Sequence, residues 1–98
     1  MLFIVSGRDK PNGLDARLAH RDAHRAHYNA LGVDLILAGP YLDGAGEPIG
    51  SMIIMRAENQ AAAEAFASAD PYWTERVFAE LSVSRWDWFM KRPEGLNS

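Results

Sequence analysis

All three histidines of this 98-residue chain, His20, His24 and His27, fall within eight residues of one another. Imidazole exchanges a proton near neutral pH, so a short segment carrying three of them is the first candidate for acid–base chemistry. Wound as a helix at about 100° per residue, the segment gathers Asp15, Asp22 and Asn29 on one side and turns the opposite side inward. His24 stands at the centre of the inward side, and within roughly 60° of it lie Arg17, His20, Arg21, His27, Tyr28 and Leu31. That stripe is too polar for an ordinary core face and suits the wall of a pocket.

Metal binding is the first chemistry to weigh, because His20 and His24 stand at i and i+4, as two ligands on one helical face would. The pattern is incomplete. Zinc proteases place a glutamate directly after the first histidine, where this chain has Arg21, and Arg17, Arg21 and Arg25 would repel a cation. No metal is expected. For His20 and His27 the bland alternative is a half-exposed rim, whereas His24, at the centre of the stripe, would carry a proton if another group oriented it.

Asp70 is a candidate for that orienting group. It precedes Pro71, so it also reads as the cap of a following helix whose first position is the proline. Capping alone would account for it, yet a carboxylate has two oxygens and retains lone pairs for an imidazole N–H. Asp34 and Asp43 are rival partners, and spacing does not choose among the three. Arg17 and Arg21, one turn apart, could together hold a carboxylate or phenolate ligand, or could form a solvated basic face paired with nearby acids.

The elements that must position these groups follow in order. Leu2 to Ser6 is a short apolar strand ended by Gly7, and Leu14 to Leu31 is the histidine helix, closed by Gly32. Val33 to Ala38 is a second strand stopped by Gly39 and Pro40. The eleven residues Pro40 to Gly50 hold three glycines and two prolines, a length and composition suited to a lid. Ser51 to Arg56 makes a third strand, Asn59 caps a helix over Gln60 to Ala69, and Asp70 and Pro71 open a short helical turn. Leu81 to Met90 alternates as a last strand, with Leu81, Val83 and Phe89 on one face and Trp86, Trp88 and Met90 on the other. The order β-α-β-β-α-β is that of the α+β, ferredoxin-like fold, whose open sheet face needs a partner.

One domain accounts for residues 1–98, with 91–98 expected to fray. A chain this short buries only about 65% of its unfolded surface, which makes dimerisation a natural supplement. At 48% hydrophobic and 23% charged residues and a net charge of −3, nothing favours a nucleic-acid backbone or an anionic membrane. No signal segment or membrane span is read. Cysteine is absent, which removes disulfides, thiolate zinc sites and cysteine nucleophiles and is consistent with a reducing, cytoplasmic setting. Gly44, Gly46 and Gly50 do not match the dinucleotide fingerprint, no P-loop or serine elbow occurs, and the third strand offers Met and Ile where an RNA reader would place stacking aromatics.

The run Arg17, Arg21, Ala23, His24, then Ala38-Gly39-Pro40, Gly50-Ser51 and Ala69-Asp70-Pro71-Tyr72 resembles the YCII-related family of the dimeric α+β barrel superfamily, over nearly the whole chain. The resemblance implies a ferredoxin-like subunit whose sheet packs on that of a second copy, and a cleft in which a histidine and an aspartate, here His24 and Asp70, form an acid/base pair. Some relatives belong to catabolic routes for chlorinated aromatic compounds, and the wider superfamily includes muconolactone isomerase and cofactor-free oxygenases. His27 and Tyr28 depart from the more aliphatic residues expected after the histidine, and Trp86 and Trp88 are a second departure.

The expectation is a homodimeric enzyme without a cofactor, acting on a small anionic cyclic or aromatic metabolite as an isomerase or as a lyase of the dehydrochlorinase type. His24 would serve as general base and then acid, with Asp70 orienting it. Arg17 and Arg21 would hold the substrate's charge, Ser51 and Tyr72 would donate hydrogen bonds, Tyr28 would line the substrate site, and Gly39 and Pro40 would shape the cleft mouth. The alternative is a non-catalytic dimer that binds a small ligand or serves as an accessory protein.

Overall fold

Phe3 and Val5, Ile53 and Met55, and Leu81 and Val83 occupy alternate positions in three separate segments. Side chains of a strand alternate between its two faces, so pairing these segments in register turns all six residues to one side. The computed structural model, which describes residues 1–96, contains this sheet. Strands β1 (Leu2–Asp9), β2 (Leu35–Leu42), β3 (Pro48–Arg56) and β4 (Phe78–Trp86) pair antiparallel in the order β2-β3-β1-β4. Val5 stands opposite both Ile53 and Val83.

Helices α1 (Leu14–Asn29) and α2 (Gln60–Ser68) and the single turn α3 (Pro71–Thr74) complete the elements. Tyr28 of α1 and Ala63 and Ala67 of α2 pack with Phe3, Val5, Ile53 and Met55, and Leu81 and Val83 flank them. The alanines leave α2 no bulk between its backbone and the sheet. Asn59 starts α2 as expected, its Oδ1 accepting from Ala62 N–H at 2.8 Å. The architecture is the α+β, ferredoxin-like one expected from the sequence. Register places Ile4, Leu37, Met52 and Ile54 on the sheet face opposite this core. Among the described residues no helix is long and apolar enough to cross a membrane.

Several boundaries differ from expectation. β1 continues past Gly7 to Asp9, because Gly7 is a strand residue whose missing side chain admits the ring of Phe78. The histidine helix stops at Asn29, and Gly32, at φ +57°, opens a 3₁₀ turn over Gly32–Asp34. Val33 therefore lies outside the sheet and is 86% exposed. Gly39 and Pro40 do not end β2, which runs on to Leu42. Since β2 is the sheet's edge, a proline there need not remove a ladder hydrogen bond.

The expected lid is in fact a hairpin. Its turn is held by Asp43, whose Oδ1 accepts from Ala45 N–H at 2.9 Å and Glu47 N–H at 3.0 Å. β4 begins earlier than expected and ends at Trp86, opposite Leu2, where β1 supplies no further partner. Trp88, Phe89 and Met90 thus fall outside the sheet, with Phe89 89% and Met90 74% exposed. Of the expected frayed end, residues 97–98 lie outside the described residues, and Arg92 Nε donates to the Leu96 carbonyl at 3.0 Å.

Gly7 carries a testable consequence. A methyl group there would collide with the Phe78 ring, which is itself buried, so Gly7→Ala is expected to destabilise the fold by roughly 1–3 kcal/mol. Gly44→Ala, in open space, should change stability by less than about 0.5 kcal/mol. Urea unfolding midpoints of the two variants check this difference.

Candidate active site

Asp70 has an extended backbone (φ −62°, ψ 129°) immediately before Pro71, the geometry of a helix N-cap. Its Oδ1 accepts from Tyr72 N–H at 3.0 Å, which starts α3, and the residue has no exposed surface. The same carboxylate reaches α1, where its oxygens lie 2.8 and 2.9 Å from Nδ1 of His24. A carboxylate accepting from a backbone N–H is met best by a donor, so Nδ1 carries the hydrogen and Nε2 is left as the basic nitrogen. The His24 ring also stacks on Tyr72, with centroids 3.9 Å apart and planes 9° from parallel. Capping and imidazole contact, open alternatives in the sequence, coexist in one side chain.

The rival acids are engaged elsewhere. Asp34 pairs with Arg56 at 3.3 Å, and Asp43 holds the hairpin turn. His27 donates from Nε2 to the Phe66 carbonyl at 2.8 Å and stacks on the Phe66 ring, tying α1 to α2. His20 is half-buried. Among the described residues no group of three or more His, Asp or Glu side chains is arranged to hold a metal ion.

Arg17, one turn before Arg21, is only 6% exposed. A buried guanidinium must be paired, and Arg17 donates from Nη1 to both oxygens of Asp9 at 2.9 and 3.1 Å. Its Nη2 donates to Ser51 Oγ at 2.6 Å, and the guanidinium lies 4.8 Å from the centroid of the Tyr72 ring. Burial pushes the Asp9 carboxyl above its ordinary value, while the Arg17 charge opposes the rise. Burial likewise raises the Tyr72 phenol, again opposed by Arg17.

Arg17, Ser51 and Tyr72 border a cavity of about 300 Å³. Arg17, Arg21, His24 and Arg25 form its α1 side, and Ser51 and Ile53 its floor on β3. Ala38, Gly39 and Pro40 of β2, with Pro48, close the side towards the sheet edge, and Tyr72 of α3 completes the lining. Arg21 and Arg25 have no ion-pair partner among the described residues, so the wall carries uncompensated positive charge.

Of the residues singled out in the sequence, Arg17, Arg21, His24, Gly39, Pro40, Ser51 and Tyr72 border the cavity, and Asp70 reaches it through His24. Tyr28 does not. It packs in the core against Phe66 and edge-on to His24, and its buried hydroxyl has no hydrogen-bond partner among the described residues. Burial, seconded by the Asp70 charge, raises its phenol pKa. Arg25 and Asp9 were missed. Arg25 follows Arg21 at i+4 on the same helix, a usable signal, whereas Asp9 sits in a stretch that reads as a turn and needs the continuation of β1 to bring it to Arg17.

The YCII-related domain family model matches residues 1–87. The chain is 37% identical over 91 residues to Protein YciI of Escherichia coli O6:H1 strain CFT073, an alignment covering 85% of this chain and 93% of that protein. A protein of Haemophilus influenzae strain Rd is 34% identical with the same coverage, 85% and 93%. Among solved structures, 5-chloro-2-hydroxyhydroquinone dehydrochlorinase (TftG) of Burkholderia phenoliruptrix AC1100, in complex with 2,5-dihydroxybenzoquinone, superposes with a TM-score of 0.83 at 30% identity. That superposition covers 89% of this chain and 94% of TftG.

Two measurements test the geometry. Asp70→Asn retains an oxygen for the Tyr72 N–H and Asp70→Ala retains none, so the alanine variant is expected to lose about 1 kcal/mol more stability in urea unfolding. For Asp9, the folded pKa lies above the ordinary 3.8. Between 3.8 and the raised value the folded chain binds more protons than the unfolded, so this contribution to stability falls as pH rises through that window. Subtracting the stability–pH curve of Asp9→Asn from that of the wild type should expose this downward slope.

Proposed function

We propose, from the premise that this chain belongs to the YCII-related family, that it is an acid–base enzyme without a cofactor, acting on a small anionic ring compound. The observation that carries this reading is the buried Asp70 carboxylate against Nδ1 of His24, beside a cavity walled by arginines. His24 Nε2 takes a proton from a carbon or hydroxyl of the substrate, and the Asp70 charge stabilises the imidazolium that results. The proton then returns to a different carbon, which is isomerisation, or leaves with a departing chloride as hydrogen chloride, which is elimination. Either course is redox-neutral.

Arg21 and Arg25 hold the substrate's fixed negative charge. Arg17, expected from the sequence to share that task, is instead occupied by Asp9 and Ser51. The proposed protein is a cytoplasmic homodimer, two copies packing the sheet faces that bear Ile4, Leu37, Met52 and Ile54; Leu37 is 37% exposed in one chain alone. The likeness to TftG supports elimination from a chlorinated hydroxyhydroquinone as the first reaction to assay.

Chloride release from chlorinated hydroxyhydroquinones and NMR-detected isomerisation of small unsaturated lactones form the assay, with 2,5-dihydroxybenzoquinone as a binding probe. The expected outcome is turnover by the wild type and a fall in kcat of about 10²-fold or more in His24→Gln, with probe affinity little changed. Turnover undiminished in His24→Gln removes the acid–base role. Binding by both proteins with turnover by neither assigns the cavity to a non-catalytic ligand-binding dimer.

A further inference from the structure

We propose that Asp9, Arg17 and Ser51 form a fixed relay that presents the Ser51 hydroxyl proton to the substrate oxygen on which negative charge gathers as His24 removes a proton. The inference rests on the acid–base reading above and adds to it the group that receives the developing charge. In this scheme Ser51 is a catalytic residue, and Arg17 and Asp9 are positioning residues.

The direction of the Ser51 proton follows from the chemistry of its neighbour. A guanidinium has donors and no acceptor, so across the 2.6 Å contact between Arg17 Nη2 and Ser51 Oγ the hydroxyl oxygen must accept. Its own O–H therefore points away from Arg17. Among the described residues no other side chain or backbone group is a hydrogen-bond partner of Ser51 Oγ, and Ser51 borders the cavity. In the sheet its cross-strand neighbours on the same face are Gly7 and Pro40, neither of which extends a long side chain over it. Accepting from a charged donor polarises the O–H bond and strengthens it as a donor in turn.

Asp9 makes this arrangement durable. Both of its oxygens hold Arg17 Nη1, and without them a guanidinium only 6% exposed would be buried unpaired or would swing towards the ligand. Neutralised by Asp9, Arg17 does not compete with Arg21 and Arg25 for the substrate's fixed charge. Tyr72 joins the two parts of the site, since its ring stacks on His24 at 3.9 Å and lies 4.8 Å from the Arg17 guanidinium. Proton acceptor and hydroxyl donor thus border one cavity of about 300 Å³, which fits a small ring bearing an enolic or phenolic oxygen near the carbon that loses its proton. No proton passes from Ser51: the hydroxyl hydrogen-bonds to the oxyanion while His24 holds the abstracted proton, and the bond lengthens again when that proton is returned.

The test uses 2,5-dihydroxybenzoquinone, a coloured enol whose visible spectrum responds to hydrogen bonding at its oxygens, together with turnover of the substrate found above. Wild type and His24→Gln are expected to bind the probe and shift its absorption. Ser51→Ala should bind it without the shift and lose about 10²-fold in kcat with KM changed only a few-fold, while Ser51→Thr, which keeps the hydroxyl, restores both. Asp9→Asn should weaken the shift, and circular dichroism confirms that each variant is folded. A wild-type spectrum and kcat in Ser51→Ala overturn the relay and leave His24 untouched, as does the absence of any shift in the wild type. If instead no substrate is turned over by the wild type, the acid–base reading fails, and the spectral comparison still decides whether Ser51 donates to the bound oxygen.

Discussion

A carboxylate without exposed surface must find all its hydrogen-bond donors inside the protein, and Asp70 finds them in two elements that are far apart in sequence. One is the backbone of α3, the other the imidazole on α1. The contact between these elements therefore does not rest on apolar packing alone. Around it the aromatic groups interlock: Tyr72 stacks on His24, meets Phe78 edge-on at 5.4 Å, and Phe78 in turn occupies the space left by Gly7. A glycine in the first strand is thereby connected through two rings to the orientation of an imidazole.

Electrostatics divides the arginines of α1 into two kinds. Arg17 is buried and satisfied by Asp9 and Ser51, so its charge is largely spent within the protein. Arg21 and Arg25 are exposed at the cavity wall, where an incoming anion can reach them at a small desolvation cost. Three arginines at intervals of four look equivalent in one dimension. Their environments make one of them a structural cation and leave the other two exposed at the cavity wall.

Much of this was legible in the order of residues. The 3.6-residue period that put Arg17, His24, Tyr28 and Leu31 on one side of a helix is the period at which that helix is buried. The caps Asn59 and Asp70 were readable because a short acceptor before a helical run has a specific backbone task. What escaped was set by partners rather than by local composition. The glycines and prolines from Pro40 to Gly50 suggested a lid loop, but an edge strand tolerates proline and a tight turn needs glycine at Gly46, with φ of +85°. Trp86, Trp88 and Met90 alternate as a strand should, yet a strand lasts only as long as its neighbour, and β1 starts at Leu2. Tyr28 lies on the same stripe as His24, but one more turn of the helix carries it beneath Phe66 and away from the cavity.

Pro40 sits on the outermost strand of the sheet and borders the cavity. An edge strand normally displays a row of backbone N–H and C=O groups that invites a foreign strand to extend the ladder. At Pro40 that row lacks a donor and carries a ring instead, so any added strand meets an interruption in the middle of β2. The residue that closes the cavity on this side thus also makes the same border a poor template for strand addition.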